Sequence, residues 1–384
     1  MRGFYSQLAE ILGAGEQVAV ATVVATRGSV PREVGAKMLV RSSGSISGTI
    51  GGGCGEAQVW RTALQVLETG KAALELVDLT GEISMDSAAV CGGTMEVLVE
   101  RWSPRTGEET QDDVALADAI LERYDRRLPA VMATVVAAPP SASCAPGRHV
   151  LLDQIGVLLG GLGSRVLDEA LLSAAVETEE DEAARVVTLN QPANDHPDQF
   201  PGSIRLYLEL VKPHPRLVVL GAGHIAVPLS RMAKLLDFDV VVLDDRSSFA
   251  NTERFPEANR VLAAEFVKGI RLLGVDRDSY VVLITRGHQH DVECLRELVE
   301  SETEYAYLGM IGSRRRVRAV FELLERQGVS AAKLAHVHAP IGIDIGAKTP
   351  AEIALSIMAE IVNTRRGGHA VSLSERDNRA LVAP

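Results

Sequence analysis

The stretch RLVVLGAGHIAVPL, residues 216–229, joins an apolar strand, a glycine turn and a helix. Its turn has the spacing GxGxxA, formed by Gly221, Gly223 and Ala226. This arrangement is typical of dinucleotide-binding sheets, because the glycines let a pyrophosphate approach the backbone at the start of the helix. The next strand, DVVVLDDR, reaches Asp244, where such sheets carry a ribose-binding acid. The stretch therefore constrains the C-terminal part of the chain to a nucleotide-type α/β fold.

Further strands are predicted beyond this unit. The segments SYVVLITR (279–286), YAYLGMIG (305–312) and HVHAP (336–340) are apolar and alternate with helix-like stretches. Such alternation produces a parallel sheet. We therefore predict a Rossmann-like, doubly wound parallel sheet over residues 216–384, with its ligand over the carboxyl ends of the strands.

Polar side chains gather at these predicted strand ends. With the turn glycines, they are candidates for binding an anionic, nucleotide-like ligand: Gly221, Gly223, His224, Asp244, Arg246, Thr285, His288, Asp291, Ser313 and Arg314. Each has a structural alternative, since Asp291 and Ser313 could cap helices and the arginines could form a solvated face. Their occurrence at one edge of one sheet favours the anionic ligand.

The N-terminal part of the chain contains an internal repeat. Residues 21–56 align with residues 133–168 without a gap, and 11 of the 36 positions are identical. The segment GTMEVLVE (93–100) also resembles GSIRLYLE (202–209). We predict an α+β domain over residues 1–211, made of two duplicated halves, about 1–110 and 111–211. The alternative is chance similarity between two small β-rich units.

The two copies differ at positions that carry chemistry. Both keep turn glycines, which backbone geometry explains. In contrast, Cys54 of the first copy is Val166 in the second, and Cys91 is Phe200. A requirement other than the backbone must account for the two cysteines.

Cys54 follows the glycine run 51–53 and opens a helix-like pattern. A helix N-terminus attracts anions and lowers the pKa of a thiol, and consecutive glycines can direct their N–H groups at one anion. Gly51, Gly52 and Gly53 are therefore candidate binding residues beside a reactive sulfur. Cys91 precedes Gly92 and Gly93, which permit close approach. For either cysteine the alternative is a small, inert buried thiol.

Composition excludes several function classes. The net charge is −12, aromatic residues make up 4% and no long Lys/Arg run occurs, so nucleic acid and anionic membranes are poor partners. Four cysteines without CxxC spacing, and a longest early apolar run of only residues 18–26, indicate a soluble, cytoplasmic protein. No Tyr-x-x-x-Lys pair, zinc ligand set or GxSxG motif occurs, which favours binding over turnover and an accessory factor over an enzyme.

The chain resembles the XdhC/CoxI family. The matching segments are GSVPREVGAKMLV, GTIGGGCGEA, CGGTMEV, GAGHIA, DDRSSFA, TRGHQHD, YLGMIGSRRR and PIGIDIGAKTPAEIALSIMAEIV. The resemblance implies a chaperone that binds the molybdenum cofactor, as molybdopterin or its dinucleotide form. It also implies two partners, a cysteine desulfurase that supplies the sulfido ligand and an apo-molybdenum hydroxylase that receives the cofactor, and a homo-oligomer, such as a dimer.

The resemblance also implies residue roles. Cys54 and Cys91 would face the metal or the sulfur being transferred, as metal ligands and as the reactive groups. The glycine turn with His224 and Asp244 would hold the nucleotide or pterin end. Two alternatives remain: an NAD(P)-dependent oxidoreductase, weakened by the missing acid/base pair, and a nucleotide-sensing regulatory module, which leaves the cysteines unexplained.

Overall fold

The computed structural model describes residues 1–80, 92–104, 112–190, 202–301, 303–372 and 374. Within these residues the chain forms two compact units, Met1–Pro213 (unit 1) and His214–Pro384 (unit 2). Unit 1 contains two antiparallel sheets and unit 2 one parallel sheet, which confirms the predicted fold class. None of the helices in the described part of the chain combines the length and apolar character needed to cross a bilayer.

The two halves of unit 1 repeat the same elements. The first half contains α1 (Arg2–Gly13), β1 (Val18–Arg27), β2 (Lys37–Arg41), β3 (Ile46–Gly48), α2 (Gly53–Thr69), β4 (Ala73–Asp78) and β5 (Thr94–Trp102). The second half contains α3 (Asp113–Asp125), β6 (Ala130–Ala137), β7 (His149–Leu152), β8 (Val157–Gly160), α4 (Arg165–Glu180), β9 (Arg185–Asn190) and β10 (Ser203–Val211). Their sheets have the orders β3-β2-β1-β5-β4 and β8-β7-β6-β10-β9, so each strand occupies the same place in both.

Strand register supports the duplication at equivalent positions of the two sheets. Val20 pairs with Glu100 in the first sheet, and the equivalent Met132 pairs with Glu209 in the second. Both central strands also skip one residue in the ladder at the same place, after Val23 in β1 and after Val135 in β6. A shared β-bulge is not expected from chance similarity, because bulges are specific local devices.

Crossed polar pairs join the two halves in the interior of unit 1. Lys37 Nζ of the first half lies 3.1 Å from a carboxylate oxygen of Glu209 in the second. Reciprocally, His149 Nε2 of the second half lies 3.4 Å from Glu100 Oε2 of the first. Lys37 and His149 occupy equivalent positions, as do Glu100 and Glu209, so each half offers a basic side chain to the glutamate of the other.

The two pairs differ in protonation. Burial raises the pKa of Glu100 to about 8 and lowers the pKa of His149 to about 3. Both groups are therefore neutral at pH 7. Glu209, in contrast, forms a salt bridge with Lys37 and also accepts a hydrogen bond of 2.6 Å from Tyr5 Oη. Equivalent positions thus hold an ion pair, Lys37–Glu209, and a neutral pair, His149–Glu100.

Unit 2 is a five-stranded parallel sheet within the described residues, of order β13-β12-β11-β14-β15. Its elements are β11 (Arg216–Leu220), α5 (Ala226–Leu235), β12 (Asp239–Asp244), β13 (Arg260–Ala263), α6 (Phe266–Leu273), β14 (Ser279–Leu283), α7 (His288–Glu300), β15 (Tyr307–Met310), α8 (Arg314–Arg326), α9 (Ala331–Leu334) and α10 (Pro350–Arg366). Helices α5 and α10 pack on one face, and α6, α7 and α8 pack on the other. The sheet is therefore doubly wound, as predicted.

Two strand predictions in unit 2 need correction. The segment HVHAP contributes only an isolated bridge between His338 and Gly309, since it runs beside β15 for too short a distance to form a ladder. The edge strand β13 was not predicted, because its four residues lack the length and the alternation that mark a strand.

Candidate functional site

The site in unit 2 lies at the point where the winding of the sheet reverses. Strands β11 and β14 are neighbours, but the helix that follows β11 covers one face and the helix that follows β14 covers the other. The loops after these two strands therefore diverge and leave a crevice at the carboxyl edge, which is where ligands of doubly wound sheets bind.

The glycine turn closes tightly against the neighbouring strand. Gly221 has φ of 111°, and a Cβ atom there would lie 2.5 Å from the carbonyl oxygen of Ile284. A side chain is thus excluded by both conformation and space. Gly223 and the exposed His224 follow, with nothing within 4 Å of a Cβ on Gly223, so this part of the turn faces open space.

Asp244 is buried beneath the turn. One of its carboxylate oxygens accepts a hydrogen bond of 2.8 Å from Ala222 N, and the Arg246 guanidinium donates to both oxygens at 2.9 Å. Its side chain is 1% exposed. Burial alone would raise the pKa of Asp244, but these hydrogen bonds outweigh it and hold the pKa below its ordinary value. The carboxylate therefore fixes the glycine turn and Arg246.

A second buried carboxylate fixes the loop after β14. Asp291 accepts a hydrogen bond of 2.6 Å from Thr285 Oγ1. It also forms an ion pair with Arg316, in which Nε lies 2.9 Å from Asp291 Oδ2. Its side chain is fully buried. Ser313 caps α8 by accepting from Arg316 N. Thr285, Asp291 and Ser313 thus join the starts of α7 and α8. The predicted cap at Ser313 is confirmed, whereas Asp291 does not cap α7, whose N-cap residue is Gly287, because its carboxylate pairs with Thr285 and Arg316 instead.

A third ion pair at this edge reaches across the sheet. Arg286, after β14, pairs with Asp245, after β12, through the two terminal nitrogens of its guanidinium, and Nη2 lies 2.8 Å from Oδ2. The pair with Arg286 lowers the pKa of Asp245 to about 2. Sequence reasoning did not select Asp245. The sequence signal for it is the doublet Asp244-Asp245 at the end of a strand. Successive side chains of a strand point to opposite sides, so when one of the two carboxylates is buried the other can face the ligand side.

A cavity of about 420 Å³ opens between the first turns of α7 and α8. It is lined by Arg286, Gly287, His288, Val292, Ser313, Arg315, Arg316, Ala319, Val320 and Leu323. Its polar lining is mainly cationic, and its floor is apolar. Of the predicted residues, it brings together His288 and Ser313, whereas Arg314 lies exposed outside its lining.

The glycine–cysteine loop of unit 1 leads into α2, so Cys54 lies in the first helical turn, as predicted, and its residue is exposed. Gly51, Gly52 and Gly53 have φ of 133°, 77° and 70°, conformations that only glycine adopts readily. A Cβ on Gly52 or Gly53 would meet nothing within 4 Å, so the approach to the thiol is open.

Glu56 occupies the backbone nest that the glycine run suggests. Its Oε2 accepts hydrogen bonds from Thr49 Oγ1 at 2.6 Å, Ile50 N at 3.2 Å and Gly52 N at 3.1 Å. Gly51 N donates to Thr49 Oγ1. An external anion would therefore have to displace groups of the protein itself, and the loop's main effect is to expose Cys54.

Cys91 lies outside the described residues, so its place relative to Cys54 stays a prediction. Within the described part of the chain, no three side chains of His, Cys, Asp or Glu are placed to hold one metal ion. Cys144 is half-buried and Cys294 is buried, and burial raises the pKa of both thiols.

Known proteins resemble this chain in sequence and in fold. A family model described as the XdhC Rossmann domain matches residues 217–361, and one described as the XdhC and CoxI family matches residues 11–78. A solved structure of a protein named xanthine dehydrogenase from Bacillus halodurans covers 96% of this chain and 97% of its own, with a TM-score of 0.72 and 23% identity, which supports the fold alone.

Three curated proteins are similar to the chain in sequence. The uncharacterized YqeB of Escherichia coli K12 is 30% identical over 67% of this chain, which spans only 48% of YqeB. A Bacillus subtilis 168 protein, named as a probable component of xanthine dehydrogenase, is 26% identical over 95% of this chain and 98% of its own length. The molybdenum cofactor insertion chaperone PaoD of E. coli K12 is 22% identical over 93% and 86%. Together with the matches in both units, these relatives show that the chain belongs to the XdhC and CoxI family.

Proposed function

We propose that the chain is a maturation chaperone for a molybdenum hydroxylase of the xanthine or carbon monoxide dehydrogenase type. It binds the molybdenum cofactor as cargo, in the molybdopterin or dinucleotide form, and protects it while a cysteine desulfurase supplies the sulfido ligand. It then inserts the cofactor into the apo-hydroxylase. A relative named molybdenum cofactor insertion chaperone and another named as a probable component of xanthine dehydrogenase support this role.

The exposed thiol of Cys54 carries the proposal. Soft metal centres and transferable sulfur suit a thiolate ligand. Among Cys54, Cys144 and Cys294, Cys54 alone is exposed, and the backbone just before it, at Gly52 and Gly53, is open. In this proposal Cys54 contacts the metal or the sulfur, with Cys91 as the second ligand, and Gly51–Gly53 provide access.

The crevice of unit 2 is proposed to hold the phosphate-bearing end of the cofactor. Gly221, Gly223 and His224 would face it from the turn, with His288 and Arg314 from the opposite side. The buried pairs described above give Asp244, Arg246, Thr285, Asp291 and Ser313 a supporting role, in which they order the loops that face the ligand.

The oxidoreductase alternative is less well supported. An NAD(P) ribose would need the carboxylate of Asp244, but both its oxygens already accept hydrogen bonds from Arg246, and one also accepts from Ala222. A ribose hydroxyl would have to displace Arg246 from a buried group. We therefore assign NAD(P) no role in the proposal.

Metal and pterin analysis of the purified protein tests the proposal. The chain is produced in cells supplied with molybdate and an active cofactor pathway. We expect near-stoichiometric molybdenum and pterin, most of it lost in Cys54→Ser and Cys91→Ser. Cys144→Ser is the matched control, because that thiol is half-buried, and it should keep its cofactor.

Two results would refute the chaperone role. One is cofactor content that is unchanged in both cysteine variants. The other is tight binding of NAD(H) without any pterin. The proposed homodimer is checked separately by sedimentation of the wild-type chain, with and without cofactor.

A further inference from the structure

We propose that Arg286 is the principal anion-binding side chain of the unit 2 crevice. In the absence of ligand its guanidinium pairs with Asp245, and a phosphate-bearing ligand displaces that carboxylate. The ligand class is a phosphate or pyrophosphate ester. This inference deepens the proposed function by naming a binding residue and an internal competitor. It rests on that function only for the identity of the natural ligand.

The position of the pair supports this assignment. In the sheet, β12 and β14 lie on either side of β11. Asp245 follows β12 and Arg286 follows β14, so their ion pair passes over the end of β11, where the glycine turn begins. That is the position over which doubly wound sheets place a pyrophosphate. A ligand phosphate and the Asp245 carboxylate would therefore compete for one guanidinium.

Arg286 lines a cavity whose charged side chains are all arginines, namely Arg286, Arg315 and Arg316. His288 also lines this cavity, and no Asp or Glu is among its lining residues. Because the chain as a whole carries a net charge of −12, such a cavity is a local exception. The helices α7 and α8 also begin here, and their dipoles favour an anion. Arg316 is paired with the fully buried Asp291, which leaves Arg315 and, once Asp245 is displaced, Arg286 for a ligand.

Solvent exposure distinguishes the Arg286–Asp245 pair from the Arg246–Asp244 and Arg316–Asp291 pairs. The carboxylates of Asp244 and Asp291 are buried and accept hydrogen bonds from several groups. In the third pair, the side chain of Arg286 is 41% exposed and that of Asp245 is 27% exposed. Solvent-exposed ion pairs are weak, and arginine binds phosphate with the same two-pronged geometry that it uses for a carboxylate. Exchange of Asp245 for phosphate therefore opens the most exposed of the three pairs.

Calorimetric titration of the full chain with inorganic pyrophosphate tests the inference. Asp245→Asn should raise the affinity by about 5- to 10-fold, since the competitor and its charge are gone. Arg286→Gln should lower it by at least about 10-fold. In the Arg286→Gln background, Asp245→Asn should have little effect, because coupled residues are not additive.

A matched control comes from the same unit. Arg271 and Glu297 form an equivalent two-pronged pair, with distances of 2.6 and 2.8 Å, away from the crevice. Glu297→Gln removes the same charge and should leave the affinity unchanged. Equal affinities in Asp245→Asn and the wild type, or full binding in Arg286→Gln, would overturn the inference.

The two proposals fail separately. If the affinity for pyrophosphate falls from Asp245→Asn to the wild type to Arg286→Gln but the wild-type protein contains no pterin, Arg286 is an anion site and the proposal of a molybdenum cofactor cargo is wrong. If molybdenum and pterin are present and depend on Cys54 but pyrophosphate binding ignores both Asp245 and Arg286, the cargo stands and this inference is wrong.

Discussion

Replacing Glu100 by glutamine should stabilise unit 1 at alkaline pH. The glutamate lies in the interior, accepts a hydrogen bond of 3.2 Å from Trp102 Nε1 and faces His149. Glutamine has the same shape and keeps an oxygen for the Trp102 hydrogen bond. The substitution therefore removes a titrating proton with little change in packing.

The magnitude follows from the pKa of Glu100, which burial raises from 4.5 to about 8. Between these pH values the folded protein keeps a proton that the unfolded chain has released, so rising pH lowers the free energy of unfolding. Each pH unit costs about 1.4 kcal/mol, and the whole window costs on the order of 5 kcal/mol. Glu100→Gln lacks this loss. It should match the wild type near pH 4.5 and exceed it by several kcal/mol at pH 9.

The acid side of the profile has a different origin. The pKa of His149 falls from 6.5 to about 3, mainly through burial and then through the charges of Lys37 and Arg148. As pH falls below 6.5, the unfolded chain gains a proton that the folded protein refuses, so stability is lost. This loss is common to the wild type and Glu100→Gln, and it cancels in the difference between them.

Glu209→Gln is the matched control, because Glu209 is the equivalent residue of the second half. It removes the charge that neutralises Lys37, which is buried, and breaking a buried pair costs about 3–5 kcal/mol. This variant should be destabilised at pH 6 and at pH 9 alike. The two substitutions at equivalent positions thus have opposite signs at pH 9.

Tryptophan fluorescence during denaturant unfolding provides the measurement. The chain has two tryptophans, Trp60 and Trp102, and both lie in unit 1, so the signal reports that unit alone. The free energy of unfolding is measured from pH 4.5 to 9 for all three proteins. A difference between Glu100→Gln and the wild type that is independent of pH, or negative at pH 9, would refute the reasoning.

Three further predictions concern unit 2. Gly221→Ala should lower its melting temperature in calorimetry and weaken pyrophosphate binding, because the added Cβ would press on Ile284; unchanged values would contradict the close approach. Asp291→Ala leaves Arg316 without its buried partner and should cost about 3–5 kcal/mol of stability, measured by the same calorimetry. Thr349→Ala removes the capping box of α10 and should cost about 1 kcal/mol in denaturant unfolding, with no change in pyrophosphate affinity.

Local patterns were sufficient to predict most of the fold. The apolar strand and glycine turn at residues 216–229 identify unit 2, since a tight turn between strand and helix depends on neighbouring residues alone. The repeat identifies unit 1 for a similar reason, because duplicated turns keep their glycines. The edge strand β13 was missed, since its pairing with β12 is a tertiary contact that its own four residues do not signal.

The ion pairs of the candidate site could not be predicted in the same way. Sequence spacing placed Asp244 and Asp291 at the right edge of the sheet. It could not show that Arg246 and Arg316 form ion pairs with these carboxylates, because each pair depends on the tertiary positions of loops and helices. The exposed pair that does face the crevice joins residues 41 positions apart, beyond the reach of any local pattern.

The duplication separates scaffold from chemistry in unit 1. In both copies a carboxylate reaches back from the first helical turn to the same loop amide, Glu56 to Ile50 N and Asp168 to Leu162 N. The loop and the helix start are therefore architecture that both halves need. Two residues before this carboxylate, the exposed side chain is the thiol of Cys54 in the first copy and Val166, 56% exposed, in the second. Neither lies in a core, so packing does not explain the difference. The proposed contact of Cys54 with a ligand accounts for the difference, because it involves one half only. In that proposal, a nearly symmetric unit holds its ligand asymmetrically.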